Sequence, residues 1–124
     1  MVTHIFPGTS GPQSAKIMIV GEAYGREEAR ENRPFVGESG KELGRILAEA
    51  GININECFLT NVVNKQPPGN DFTHFLFETA IAKEAGLKPY NGLYPTPDLG
   101  AGIAELNRGI SALRPRLIIA AGNY

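Results

Sequence analysis

Cysteine is nearly absent from this 124-residue chain: Cys57 is the only one. One thiol closes no internal disulfide and makes no cysteine-only metal site, so Cys57 reads as a small core residue. Histidine is scarce too, and His4 and His74 stand at no spacing that suits a metal. No apolar run is long enough to cross a bilayer, and the N-terminus lacks the charged-then-apolar pattern of a secretory leader. There is no internal repeat or low-complexity tract. The glycine-rich runs lack the lysine of a phosphate-binding P-loop. Charge of one sign is missing as well: 12 Lys+Arg stand against 13 Asp+Glu, a formal net charge of −1. That is not the basic footprint of a strong nucleic-acid binder, although a local patch would suffice for one. A cytoplasmic, monomeric globular protein with no membrane partner is the expectation, and 42% hydrophobic residues are enough for one domain with a real core.

What is present reads as alternating strands and helices. Residues 1–15, rich in Gly, Pro, Ser and Thr, look like an irregular lead-in to a domain over 16–124. Residues 16–20 (Lys-Ile-Met-Ile-Val) predict a buried parallel strand. Residues 39–50 predict a helix, with Ser39 as N-cap, Glu42 at the capping-box position, and Leu43, Ile46, Leu47 and Ala50 on one stripe. Gly51 is a natural stop. Residues 57–63 predict a second strand, broken by Gln66-Pro67-Pro68-Gly69-Asn70. A short helix over 73–85 and a Pro/Gly/Tyr-rich loop follow. Residues 99–113 predict an amphipathic helix with Ile103, Leu106, Ile110 and Leu113 on one side, and 117–121 a third buried strand. The order β, α, β, α, β predicts right-handed crossovers and a three-layer α/β/α fold with a parallel central sheet. The chain stops directly after the third strand, which suggests the N-terminal portion of a longer domain with an exposed sheet edge.

In such a sheet, ligands bind beyond the carboxyl ends of the strands. Those ends carry polar residues: Glu22 and Tyr24 after the first, Asn61 to Lys65 at the second, Gly122-Asn123-Tyr124 after the third. The first end continues through Gly21-Glu22-Ala23-Tyr24-Gly25 to Arg33-Pro34-Phe35-Val36-Gly37, an acidic, aromatic-bearing loop and the expected seat of chemistry. Arg26, Arg30, Arg33, Lys41 and Arg45 cluster around it, interleaved with Glu27, Glu28, Glu31, Glu38 and Glu42, a pattern that suits a solvated helix face as well as a binding patch. Each residue also has a plain structural reading: Phe35 as a core aromatic, Asn61 as a turn residue, Glu28 as a surface carboxylate. Gly100 and Gly102 could form an anion nest before the last helix.

Three segments resemble the uracil-DNA glycosylase superfamily, closest to the family 4 enzymes and their phage-borne relatives. Gly21-Glu22-Ala23-Tyr24-Gly25 is similar to the family's Gly-Glu-Ala-Pro-Gly. Arg33-Pro34-Phe35-Val36-Gly37-Glu38-Ser39-Gly40 is similar to Arg-Pro-Phe-Val-Gly-x-Ala-Gly. Leu59-Thr60-Asn61-Val62-Val63, then Pro67-Pro68, supplies the third. The resemblance implies base excision from uracil-containing DNA with no cofactor and no metal in the chemistry. Phe35 would stack on the flipped uracil, Asn61 would read its edge, the backbone around Ala23 would contact the base, and Glu22 and Glu28 match the two acidic positions of the first loop. Thymine would be refused by a steric block near C5, from Tyr24 or Glu28. The sequence departs from the pattern in places. Tyr24 stands where the family has proline, and Lys65 where a cysteine is expected. No cysteine pair precedes the first strand, so the resemblance implies no iron–sulfur cluster. The family's late His-Pro-Ser-like segment would lie beyond Tyr124. A non-catalytic nucleic-acid-binding module, or a domain binding a free base or nucleotide, is the alternative.

Overall fold

The computed structural model describes residues 7–70, 76–77, 94–95 and 97–121. In chain order these form β1 (Ile17–Ala23), α1 (Arg26–Glu31), α2 (Glu38–Glu49), β2 (Phe58–Val63), β3 (Leu76–Phe77), β4 (Tyr94–Pro95), α3 (Pro97–Leu113) and β5 (Leu117–Ala120). β1 is central, with β2 and β5 parallel on either side, and β3 pairs antiparallel with β4. The three-layer expectation holds. On one face Met18, Val20 and Phe58 pack against Leu106, Ile110 and Leu113 of α3; on the other Ile19, Cys57 and Leu59 pack against Leu43 and Leu47 of α2. The chain moves outward from β1 to β2, then back across to β5, so crossovers of one hand put the two helices on opposite faces. Met18 and Ile19 are 1% and 0% exposed, each contributing about 1.5–3 kcal/mol of burial.

Several expectations are corrected. β1 does not stop at Val20. Its parallel pairing with β2 continues through Gly21↔Asn61 and Ala23↔Val63, so Gly21, Glu22 and Ala23 belong to a strand rather than a flexible loop. α1 was not foreseen as a helix; it buries no residue. Ser39 does not cap α2. The helix begins at Glu38 with Gly37 as its N-cap and no side-chain cap, because the Glu28 carboxylate fixes that turn from outside. Leu47 is buried, but Ile46 is 50% exposed and Ala50 is exposed, so the α2 stripe is narrower than its periodicity suggests. Gly51, at φ +81°, ends the helix as expected.

β5 is an edge strand and not a buried one: Leu117 is 49% and Ile118 42% exposed. Gly100 and Gly102 lie inside α3 and form no nest before it. The lead-in is not detached, since Ser10 and Leu59 exchange backbone hydrogen bonds of 3.0 and 2.8 Å, adding an antiparallel bridge beside β2. The helix expected over 73–85 lies outside the described residues except at 76–77, which are strand. His4, His74 and Gly122–Tyr124 also lie outside them.

Candidate functional site

The carboxyl ends of β1, β2 and β5 open onto one cleft of about 640 Å³. Gly21, Glu22 and Ala23 come from β1, Asn61 from β2, and Ala121 from just past β5. Ala121 is held there by its N–H, which donates to the Val20 carbonyl at 2.8 Å. Tyr24, Glu28 and Phe35 complete the wall, so all six residues singled out from the sequence meet in one place.

Gly21 explains how they meet. It pairs with Asn61 across the sheet. A Cβ on Gly21 would lie 2.9 Å from Phe35 Cζ and in harder collision with Asn61 Oδ1. With no side chain there, the amide and the aromatic ring converge over the strand. Asn61 is 5% exposed. Its backbone N–H donates to Asn64 Oδ1 at 3.2 Å, and Asn64 Nδ2 donates to Thr60 Oγ1 at 3.5 Å, so the Asn64 side chain reaches back and ties the strand exit. Phe35 sits with one flank against the Ile19 core. Its backbone is left-handed, φ +58°, a conformation that costs a bulky residue free energy and persists only when its surroundings impose it.

Glu28 imposes it. Its Oε1 accepts from Gly25 N at 3.0 Å, and its Oε2 accepts from Val36 N at 2.9 Å and Gly37 N at 2.5 Å. The first contact is the acidic half of a capping box at the start of α1; the other two hold the turn that carries Phe35 and opens α2. The carboxylate therefore clamps the two motif segments together. Gly40 completes the fit, since a Cβ there would press 2.6 Å from Phe35 Cα.

Tyr24 is 3% exposed. Its hydroxyl donates to the Gly8 carbonyl, and its backbone N–H donates to the Lys65 carbonyl at 3.0 Å. Burial, and then the nearby Glu28 charge, push its phenol above the ordinary value, so the hydroxyl stays a donor. Glu22 is half-buried in the cleft wall. Sequence reasoning overlooked several lining residues: Ser39, Gly40, Leu43, Ile46, Pro67 and Asn70. Pro67 belongs to the proline pair that closes the third motif, which was the signal available for it. Four of the five basic residues of the cluster pair with neighbouring carboxylates. Arg30 pairs with Glu27, Arg33 with Glu31 at 2.9 Å, Lys41 with Glu38 at 3.8 Å, and Arg45 with Glu42 and with Glu49 at 3.0 Å, all on exposed surface.

A model of the uracil DNA glycosylase superfamily matches residues 7–124. The chain belongs to the uracil-DNA glycosylase superfamily. A type-4 uracil-DNA glycosylase of Archaeoglobus fulgidus is 32% identical over 123 residues, 98% of this chain and 50% of that protein. One from Saccharolobus solfataricus is 33% identical over 119 residues, 95% of this chain and 45% of that protein. One from Sulfurisphaera tokodaii is 46% identical over 69 residues, 55% of this chain and 31% of that protein. The chain thus spans about half the length, or less, of the curated relatives it matches. The donors present do not fit the iron–sulfur cluster of family 4. The only cysteine, Cys57, is 1% exposed within the Ile19–Leu47–Leu59 core, and burial raises its thiol pKa. Among the described residues no group of three or more His, Cys, Asp or Glu could hold a metal ion.

Proposed function

We propose that this superfamily member receives a uracil flipped out of DNA in the cleft at the strand ends and hydrolyses its bond to deoxyribose. The observation that carries the reading is the meeting of the Phe35 ring and the Asn61 amide over Gly21. A base must leave the stack before its glycosidic bond can be reached, which costs a few kcal/mol. An aromatic face returns about 1–3 kcal/mol of stacking. The Asn61 amide both donates and accepts, so its NH2 would give to uracil O4 while its oxygen accepts from N3–H. Cytosine presents the reverse pattern. Crowding of the amide by Phe35 and Gly21 would keep it from turning over to suit cytosine. The wall formed by Tyr24 and Glu28 would meet the thymine methyl.

In the reaction the C1′–N1 bond breaks, water adds to C1′ and loses a proton, and the base departs as an anion that is then protonated. Glu22, with a half-buried carboxylate, would favour the cationic sugar or orient the water. Glu28 adds negative charge there, but its oxygens already accept three backbone N–H groups, so we assign it to holding the pocket. Backbone donors near Ala23 would favour the departing anion. Among the described residues no helix is long and apolar enough to cross a membrane. We place the protein in the cytoplasm as a monomer acting on uracil-containing DNA, with no cofactor.

The test is incubation with a uracil-containing single-stranded oligonucleotide, followed by alkali to reveal abasic sites. Cleavage at uracil, absent from matched thymine and cytosine strands and lost in Asn61→Ala, is expected. Uracil-selective binding without abasic sites would favour the second reading, a non-catalytic nucleic-acid or nucleobase-binding module of the same fold. Neither cleavage nor selective binding would reject both.

A further inference from the structure

Two positions where the sequence departs from the family's motifs, Tyr24 and Lys65, are hydrogen-bonded to each other. The Tyr24 N–H donates to the Lys65 carbonyl at 3.0 Å. A proline at 24 has no N–H to give, so this bond exists only because of the departure. The same residue makes a second link through its hydroxyl to the Gly8 carbonyl. Gly8 in turn lies against Asn64: a Cβ on Gly8 would be 3.1 Å from Asn64 Cβ and 2.7 Å from the Tyr24 hydroxyl. Asn64 Oδ1 accepts the Asn61 N–H. Three segments thus meet at one residue that is 3% exposed: the lead-in through the Tyr24 hydroxyl, the exit of β2 through its backbone N–H, and the exit of β1 that carries it.

We propose that Tyr24 is a positioning residue, whose N–H to Lys65 and hydroxyl to Gly8 lock the end of β1 against the turn after β2. The lock sets the Glu22–Ala23 backbone opposite the Asn61 amide. The sheet pairing between the two walls finishes at Ala23↔Val63, and the Tyr24 N–H to the Lys65 carbonyl continues their connection beyond it. Without the lock the turn bearing Asn64 loosens, and with it the hold of Asn64 Oδ1 on the Asn61 backbone N–H, so the strand that carries the Asn61 amide shifts. The ring itself remains as wall. The functional consequence rests on the uracil-site reading above; the mechanical claim does not.

The experiment compares wild type, Tyr24→Phe and Tyr24→Pro, each 15N-labelled, with the Asn61 backbone and side-chain signals assigned through Asn61→Asp. Tyr24→Phe removes only the hydroxyl, and Tyr24→Pro removes both donors. Displaced Asn61 signals in folded Tyr24→Phe, larger displacement in Tyr24→Pro, and undisturbed Leu47 signals in α2 are expected. Loss of one such bond corresponds to a roughly fivefold change in an equilibrium constant. Affinity for a uracil strand over a matched thymine strand should fall by about that factor in Tyr24→Phe. A general loss of stability would not move that ratio. Asn61 signals that coincide with wild type in folded Tyr24→Phe would overturn the proposal whatever the DNA result. Displaced Asn61 signals in a protein whose wild type ignores uracil would uphold the lock and reject the uracil reading.

Discussion

Replacing Glu28 with glutamine tests how the pocket is held together. The carboxylate accepts Gly25 N at 3.0 Å through Oε1, and Val36 N at 2.9 Å and Gly37 N at 2.5 Å through Oε2. Glutamine brings one oxygen and one NH2. In its better orientation the oxygen keeps Val36 and Gly37, and the NH2 faces the Gly25 N–H, donor against donor. One charge-assisted bond is lost and two are weakened. Such bonds contribute about 1.5–3 kcal/mol each, and the site is half-buried, so Glu28→Gln should cost about 2 kcal/mol. At a urea m-value of about 2 kcal/mol/M, the unfolding midpoint falls by about 1 M. The chain has no tryptophan, so far-UV circular dichroism is the assay. Glu27→Gln is the control: it touches the exposed Arg30, a pair worth well under about 1 kcal/mol. A Glu28→Gln midpoint equal to that of Glu27→Gln would refute the clamp.

Further outcomes follow from the same geometry. Gly21→Ala should cost about 1–3 kcal/mol by overpacking and abolish uracil selectivity, because its methyl displaces Phe35 or Asn61; thermal melts and strand-binding assays check both. Phe35→Ala should weaken uracil-strand binding by about 1–3 kcal/mol, leaving the thymine strand unaffected, as read by fluorescence anisotropy. The Tyr24 phenol is raised in the folded state, so its stabilising contribution is complete below the ordinary value of about 10 and lost as pH rises through the higher folded one. The stability difference between wild type and Tyr24→Phe should therefore shrink above pH 10 in urea melts, and a difference that grows there would reverse the sign.

The parts of the fold legible in the sequence were those set by local pattern. The Ile17–Val20 run announced a buried strand, and Leu43, Leu47, Leu106 and Ile110 announced helix faces. Asn61 and Phe35 were singled out through the motif resemblance, and the structure brings both to the cleft. α1 escaped notice because Arg26–Glu31 is polar all round and buries nothing, leaving no periodic signal. β5 read as buried because an apolar run does not tell an edge from a centre. The clamp was invisible for a different reason: Glu28 reaches Val36 and Gly37, eight and nine residues away, across a turn. The Tyr24 lock depends on Gly8 and Lys65, joined to it only by the tertiary fold.

The most direct test is a titration of the 15N-labelled protein with a uracil-containing single-stranded oligonucleotide, against the same strand carrying thymine. The account predicts that uracil alone moves the signals of Gly21–Gly25, Phe35 and the Asn61 side-chain amide, the residues that line the cleft. Equal shifts with both strands, or shifts confined to the opposite face around Gly102, Glu105 and Gly109 of α3, would contradict it.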